Sequence, residues 1–139
     1  SIAVRHNTVW QDLLSVIGRL LTGDSALRRR AALELLASLV RSMGGRLHGH
    51  YREIGKTLAA CIKDVDPGVR IAALSVVGVA ATSWCCSPED HQHWHGAADA
   101  TLEVAVAAVS GPASEQAPKL LSAALRALGA LAPALRSEA

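Results

Sequence analysis

Residues 83–96, SWCCSPEDHQHWHG, carry the densest set of side chains able to do chemistry: His91, His93 and His95, with Cys85 and Cys86 close by. Counted by type, they would complete a zinc site, since imidazole nitrogen and thiolate sulfur are the ligands zinc favours. In an extended segment the three histidines would share one side. The residues just before them argue for a helix instead. Ser87 reads as an N-cap, Pro88 as the first helical residue, and Glu89 and Asp90 put negative charge in the first turn, where the helix dipole favours it. On such a helix His91 and His95 share a side while His93 points nearly the opposite way. A cysteine would then have to fold back across Ser87 and Pro88 to add a third ligand, and structural zinc normally uses paired, spaced ligands such as C-x₂-C. These residues therefore read as exposed, titratable histidines near a helix start, with no metal and no cofactor.

The other candidates resolve in the same direction. Arg28-Arg29-Arg30 heads a basic first half that also holds Arg5, Arg19, Arg41, Arg46, Arg52 and Lys56, a pattern compatible with nucleic acid or an acidic partner. Three consecutive arginines on a helix point in three directions, however, and no aromatic residues interleave with them as stacking platforms, so a solvated helix face is the better reading and nucleic acid is not expected. GGRLHGH at 44–50 lacks the Lys-Ser/Thr ending of a phosphate loop and follows no strand. No Ser, Cys or Lys sits in a nucleophile motif, and no carboxylate pair is marked out by its setting. The chain does not read as an enzyme.

Composition sets the elements that must position any surface. The 139 residues are half apolar, with no Phe, one Tyr and three Trp. Ala, Leu and Val supply most of that half, which suits close helix–helix packing, and β-branched or aromatic runs bounded by turns are absent, so an all-α chain is expected. No apolar run is long enough to span a membrane, and the N-terminus lacks the layout of a signal peptide. The three cysteines form no disulfide framework. An intracellular protein, cytoplasmic, follows from these features. Charge is uneven: residues 1–70 hold eleven Lys and Arg against six Asp and Glu, a balance of +5, and residues 71–139 hold three against six, a balance of −3.

The sequence KDVDPGVRIAALSVVG, residues 63–78, contains a helix start: Asp66 as N-cap, Pro67 at the first helical position, then a periodic apolar run. Ile54, Leu58, Cys61 and Ile62 lie at helical spacing just upstream, so the two helices form a hairpin. The hairpin recurs. A shift of 41 places Leu13, Ile17 and Leu20 on Ile54, Leu58 and Cys61, Trp10 on Tyr51, Ser25 on Asp66, and Ala31-Ala32-Leu33 on Ala72-Ala73-Leu74. A further shift of 51 places Pro67, Ala72, Ala73, Leu74 and Gly78 on Pro118, Ala123, Ala124, Leu125 and Gly129, and Tyr51, Ile54 and Leu58 on Leu102, Ala105 and Val109. On this alignment the ten extra residues precede the third unit and lengthen its first helix, read as residues 88–109. Three helix pairs at a period near 40 predict a solenoid.

DVDPGVRIAALSVVG resembles the second half of a HEAT repeat, with Asp64, Pro67, Val69, Arg70, Ala73, Leu74 and Gly78 at the pattern positions. The resemblance implies a right-handed α-solenoid of three HEAT-like antiparallel helix pairs, about 8–42, 47–83 and 88–136, forming a single domain over 1–139. It also implies a ladder of Asp–Arg contacts between neighbouring repeats, although copy one has Gly23 at the Asp position and copy three has Leu121 at the Arg position. Some relatives of the fold are enzymes. HEAT-like metal-dependent hydroxylases carry His-Glu dipeptides, and this sequence has none; alkylpurine glycosylases of similar architecture use Trp and Asp around a basic groove, and the three Trp do not recur at matching positions.

What remains is a surface. In a solenoid equivalent positions stack in rows, and by analogy with HEAT arrays the second helices line the concave side. The same shifts give the rows Arg30, Ile71 and Ser122; Glu34, Ser75 and Arg126; Ser38, Val79 and Ala130; and Arg41, Thr82 and Pro133. Charge, hydroxyl and apolar groups mixed in this way are typical of protein interfaces. The candidate partner-binding residues are Arg30, Glu34, Arg41, Ile71, Ser75, Thr82, Ser122 and Arg126, and the expected role is binding or scaffolding of another protein. The alternative is a tubulin-binding array of the TOG type, which is similar in being built from HEAT repeats; such domains bind through the turns inside each pair, here Thr22–Ser25, Lys63–Asp66 and Gly111–Ala117, where Lys63 is the fitting residue and the typical Trp is missing. The last helix lacks the polar outer face of a cap, so either a longer solenoid or a second copy, associating through the ends, is expected to join there.

Overall fold

The computed structural model describes residues 2–43, 49–83, 91–111 and 114–136. Six helices follow in order: α1 (Ile2–Leu21), α2 (Ala26–Met43), α3 (Tyr51–Ile62), α4 (Pro67–Ser83), α5 (His91–Ser110) and α6 (Gln116–Arg136), with no strand among the described residues. Each helix packs on its sequence neighbour in the pairs α1–α2, α3–α4 and α5–α6, and the pairs stack through α2–α4–α6 on one side and α3–α5 on the other. This is the expected all-α repeat stack. Its first helix begins at Ile2, upstream of residue 8.

Every second helix starts on a side-chain cap. Ser25 Oγ accepts the Arg28 N–H at 3.3 Å, Asp66 Oδ2 accepts the Val69 N–H at 3.0 Å, and Ser114 Oγ accepts the Ala117 N–H at 3.2 Å. Each cap satisfies one of the orphan donors of a first turn. Pro67 follows its cap directly, as expected; α6 starts earlier than the sequence alignment placed it, so Pro118 lies inside its first turn, where a missing N–H is still tolerated. At the end of α5 the Gly111 N–H donates to the Ala107 carbonyl at 2.8 Å, and a Cβ on residue 111 would lie 2.6 Å from that oxygen, so the turn requires glycine.

The core combines large and small side chains. Leu33, Leu36, Leu58, Ile62, Leu74 and Leu131 are fully buried, each contributing about 1.5–3 kcal/mol of transfer free energy. Ala32, Ala73, Ala80, Ala97, Ala100, Ala124 and Ala127, equally buried, set the close approach of the helices. Thr101 is the one buried polar residue among those described, and its hydroxyl donates to the Ala97 carbonyl at 2.6 Å, so nothing polar is stranded there.

The structure corrects the register of the third pair. Ile54, Leu58, Cys61 and Ile62, buried on α3, correspond to Ala97, Thr101, Val104 and Ala105, buried on α5, an offset of 43. Two contacts fix it: a Cβ on Gly96 would lie 3.8 Å from Ala59 Cβ, and Lys63 Nζ lies 3.7 Å from Glu103 Oε2. The residues aligned from sequence with Tyr51 and Leu58, Leu102 and Val109, are instead 54 % and 70 % exposed. For the second helices the offset of 51 holds, since buried Val69, Ala73, Val76 and Ala80 on α4 correspond to buried Leu120, Ala124, Ala127 and Leu131 on α6. The difference, eight residues, therefore lies between the two helices of the third pair, in the C-terminal end of α5 and the turn after it, and not before the pair. Apolar residues on several sides of α5 let either register match the helical period. The expected cap at Ser87 and Pro88, and Cys85 and Cys86, lie outside the described residues; residues 91–95 are helical.

Candidate protein-binding face

Between α2 and α4 runs an open groove of about 210 Å³, lined by Arg30, Leu33, Glu34, Ile71, Ser75 and Val76 among others. Four of the residues singled out from the sequence, Arg30, Glu34, Ile71 and Ser75, thus meet in one place. Leu33 and Val76 form its apolar floor, while Glu34 and Ser75 stand exposed on its two walls. Arg30 reaches across: its Nη1 lies 3.4 Å from where a Cβ on Gly68 would sit, so glycine at 68 makes room for the guanidinium over the start of α4. Ser122 and Arg126 are exposed on α6 and continue the same two rows. Arg41 and Thr82 are exposed farther along α2 and α4 and do not line the groove; the Thr82 hydroxyl donates back to its own helix, to Gly78 O at 3.0 Å and Val79 O at 3.1 Å. Of the third row, Ser38 is exposed and Val79 and Ala130 are half-buried, and the Pro133 side chain lies outside the described set.

Beneath one end of the groove the turn before α4 is locked to α2. Arg29 makes a forked ion pair with Asp64, Nε to Oδ2 at 2.9 Å and Nη2 to Oδ1 at 3.1 Å, with the two side chains only 12 % and 13 % exposed. Its remaining Nη1 donates to the Gly23 carbonyl at 2.8 Å, so the backbone at the position where the HEAT pattern has Asp supplies an acceptor in its place. Asp64 Oδ1 also accepts the Asp66 N–H at 2.9 Å, which ties the ion pair to the residue that caps α4. Burial alone would raise the Asp64 carboxyl; the Asp66 N–H, the Arg29 fork and the nearby charge of Arg70 together hold it below its ordinary value. Cys61, one turn back on α3, is buried, and burial first and the Asp64 charge second push its thiol up to about 11, partly offset by Arg29. Such a thiol is a packing group, not a nucleophile.

The ladder has one rung among the described residues. Arg70 is the next arginine of the pattern, yet its buried Nε finds no acceptor, and exposed Glu115, at the Asp64-equivalent position, makes no ion pair with it.

Sequence reasoning missed a second groove. It lies between α1 and α3, about 140 Å³, lined by Leu14, Ile17, Leu21, His50, Glu53 and Ile54 with Leu36 at its base. The signal was weak: one wall comes from the first turns of α3, directly after the GGRLHGH segment. Of the histidines, His95 is exposed, and the side chains of His91 and His93 lie outside the described set. No group of three or more His, Cys, Asp or Glu able to hold a metal occurs among the described residues, and no helix among them is long and apolar enough to cross a membrane.

Comparison with known families places the whole stack. A family model described as "IPO5-like, TPR repeats" matches residues 1–136, and the chain belongs to that importin-5-like repeat family. Repeats of this type are protein-interaction modules. Neither the curated proteins nor the solved structures give a match.

Proposed function

We propose, with membership of the IPO5-like repeat family as the premise, that this chain is a scaffold module that binds another protein along its second-helix face and performs no chemistry of its own. The observation that carries the proposal is the α2–α4 groove, where Arg30, Glu34, Ile71 and Ser75 converge above an apolar floor. The side chains stand on helices fixed by buried packing, so the surface is preorganised, and little ordering entropy opposes binding. The continuous stacking of α2 on α4 and of α4 on α6 supports the second-helix side as one unbroken face along the stack.

The face offers both charges and a flat apolar centre, which suits an extended or helical protein segment carrying mixed charge. The test uses the intact chain as bait in native extract beside a variant carrying Glu34→Arg and Ser75→Arg, both at exposed positions. The same circular dichroism spectrum with at least about tenfold weaker retention of the captured protein, about 1.4 kcal/mol, is expected. Equal retention by both would remove this face from consideration. The tubulin alternative rests on Lys63, whose Nζ lies 3.7 Å from Glu103; co-sedimentation with microtubules is its check.

A further inference from the structure

The charges of this chain divide by side of the stack. The second helices, α2, α4 and α6, hold eight Lys and Arg against one acid, Glu34, whereas the first helices, α1, α3 and α5, hold four of each sign. Counting along the chain hides this, because each half of the sequence contains helices of both sides. On the second-helix face Arg30, Arg41, Lys119 and Arg126 are exposed, and none makes an ion pair with a described residue. Arg30 and Glu34 stand one turn apart on α2 without pairing. Exposure here is a property of the row and not of an end of the stack: Ser75 and Thr82, the α4 equivalents of Arg126 and Arg41, are exposed in the middle pair. The acids of the turn before α4 are already engaged, Asp64 with Arg29 and Asp66 with the first turn of α4.

We propose that the second-helix face takes an acidic segment of a partner protein, with carboxylates toward Arg30 at one end and Arg126 at the other, an apolar side chain on the Leu33–Val76 floor, and room for one base beside Glu34. The inference rests on the binding role proposed for this face and names the charge of what binds there. Packed helices lie about 8–10 Å apart, so α2 and α6, two steps apart, are separated by roughly 16–20 Å, which an extended segment spans in about five or six residues. A single carboxylate cannot meet both ends, whereas acids at that spacing can. Excess positive potential along the face steers an acidic segment to it and disfavours a basic one. A protein segment is favoured over nucleic acid, the other polyanion, because the floor is apolar and no aromatic side chain on α2, α4 or α6 offers a base a stacking platform.

Selection of random dodecapeptides displayed on phage against the immobilised intact chain, followed by fluorescence anisotropy of the most enriched peptide, tests the inference. Enrichment of peptides with net negative charge is expected. Arg30→Glu combined with Arg126→Glu should weaken binding of that peptide at least about tenfold with helix content unchanged. Arg30→Gln with Arg126→Gln, which adds no new charge, should weaken it by a smaller factor. Arg52→Glu with Lys56→Glu, the same change in net charge at exposed positions of α3, should leave it nearly unchanged.

Enrichment of neutral or basic peptides whose binding Ser75→Arg abolishes would overturn the acidic class and leave the face standing. Acidic peptides whose binding responds equally to the α2–α6 and the α3 substitutions, or to neither, would overturn the face as well. Tighter binding of single-stranded oligouridylate than of the selected peptide would assign the charge to nucleic acid and overturn the inference, and so would the enrichment of no peptide at all.

Discussion

The junction between the first and second helix pairs and the junction between the second and third share one apolar register but differ in their polar closure. At the first, Leu33 is sealed under α4, and beside it Arg29, Asp64 and Asp66 form a connected set that ends at the cap of α4. At the second, Leu74 is sealed under α6 in the same way, but Arg70 Nε has no acceptor, and Lys63–Glu103, a polar contact at the side of the junction, is 3.7 Å long with both side chains more than half exposed. A solvent-exposed pair of that kind contributes little. The difference teaches that stacking in this chain is an apolar property, common to both junctions, and that the ion pair is an addition at one of them which fixes where the turn before α4 sits.

The largest effects should follow the apolar register. Leu33→Ala or Leu74→Ala is expected to cost about 2–5 kcal/mol, whereas Leu125→Ala, the same position on the open face, should stay within about 0.5 kcal/mol when measured by chemical denaturation at low protein concentration. A comparable loss at all three would mean that α6 is covered in the isolated chain.

The polar closure comes next. Asp64→Ala is expected to cost about 1.5–3 kcal/mol, because it strands the Arg29 guanidinium and removes an acceptor from Asp66. The sign with pH follows from the lowered carboxyl. Its contribution is complete above the unfolded value of 3.8 and is lost as pH falls through the lower folded value. Stability measured from neutral pH downward should therefore fall more steeply below about pH 4 in the natural chain than in Asp64→Asn. Parallel curves would show that Asp64 has no such linkage.

The smallest effect should sit at the pattern glycines. A Cβ on Gly78 or on Gly129 would meet nothing within 4 Å, so neither helix uses its glycine for close approach. Gly78→Ala should stabilise α4 by up to about 1 kcal/mol, read as a rise in Tm. A loss instead would mean that a side chain at residue 78 meets a neighbour.

The sequence carried the first two helix pairs well because their second helices begin with a local signal: Ser25 and Asp66 are caps by residue type, and Pro67 marks a first turn before any neighbour is known; the cap of α6, Ser114, was not read from it. Burial on the second helices was equally legible, since Ala73 and its equivalents Ala32 and Ala124 repeat at fixed offsets. The register of α5 was not. Leu102, Val106 and Val109 are apolar yet exposed, and an apolar period that continues on the outer side cannot indicate which turn meets α3. Only contacts such as Gly96 with Ala59 and Lys63 with Glu103 decide it, and these are tertiary. For the candidate face, row arithmetic brought Arg30, Glu34, Ile71 and Ser75 together because the 41-residue offset is uniform along the first two pairs. It could not foresee that the Thr82 hydroxyl turns back onto its own helix, a choice made by local hydrogen bonding.

The most direct test of the contrast between the junctions is a pair of double-mutant cycles on unfolding free energy. One combines Arg29→Ala with Asp64→Ala, and the other combines Arg70→Ala with Glu115→Ala. The account predicts a coupling of about 0.5–3 kcal/mol in the first cycle and none beyond error in the second. Equal couplings, or a coupling confined to Arg70 and Glu115, would contradict it.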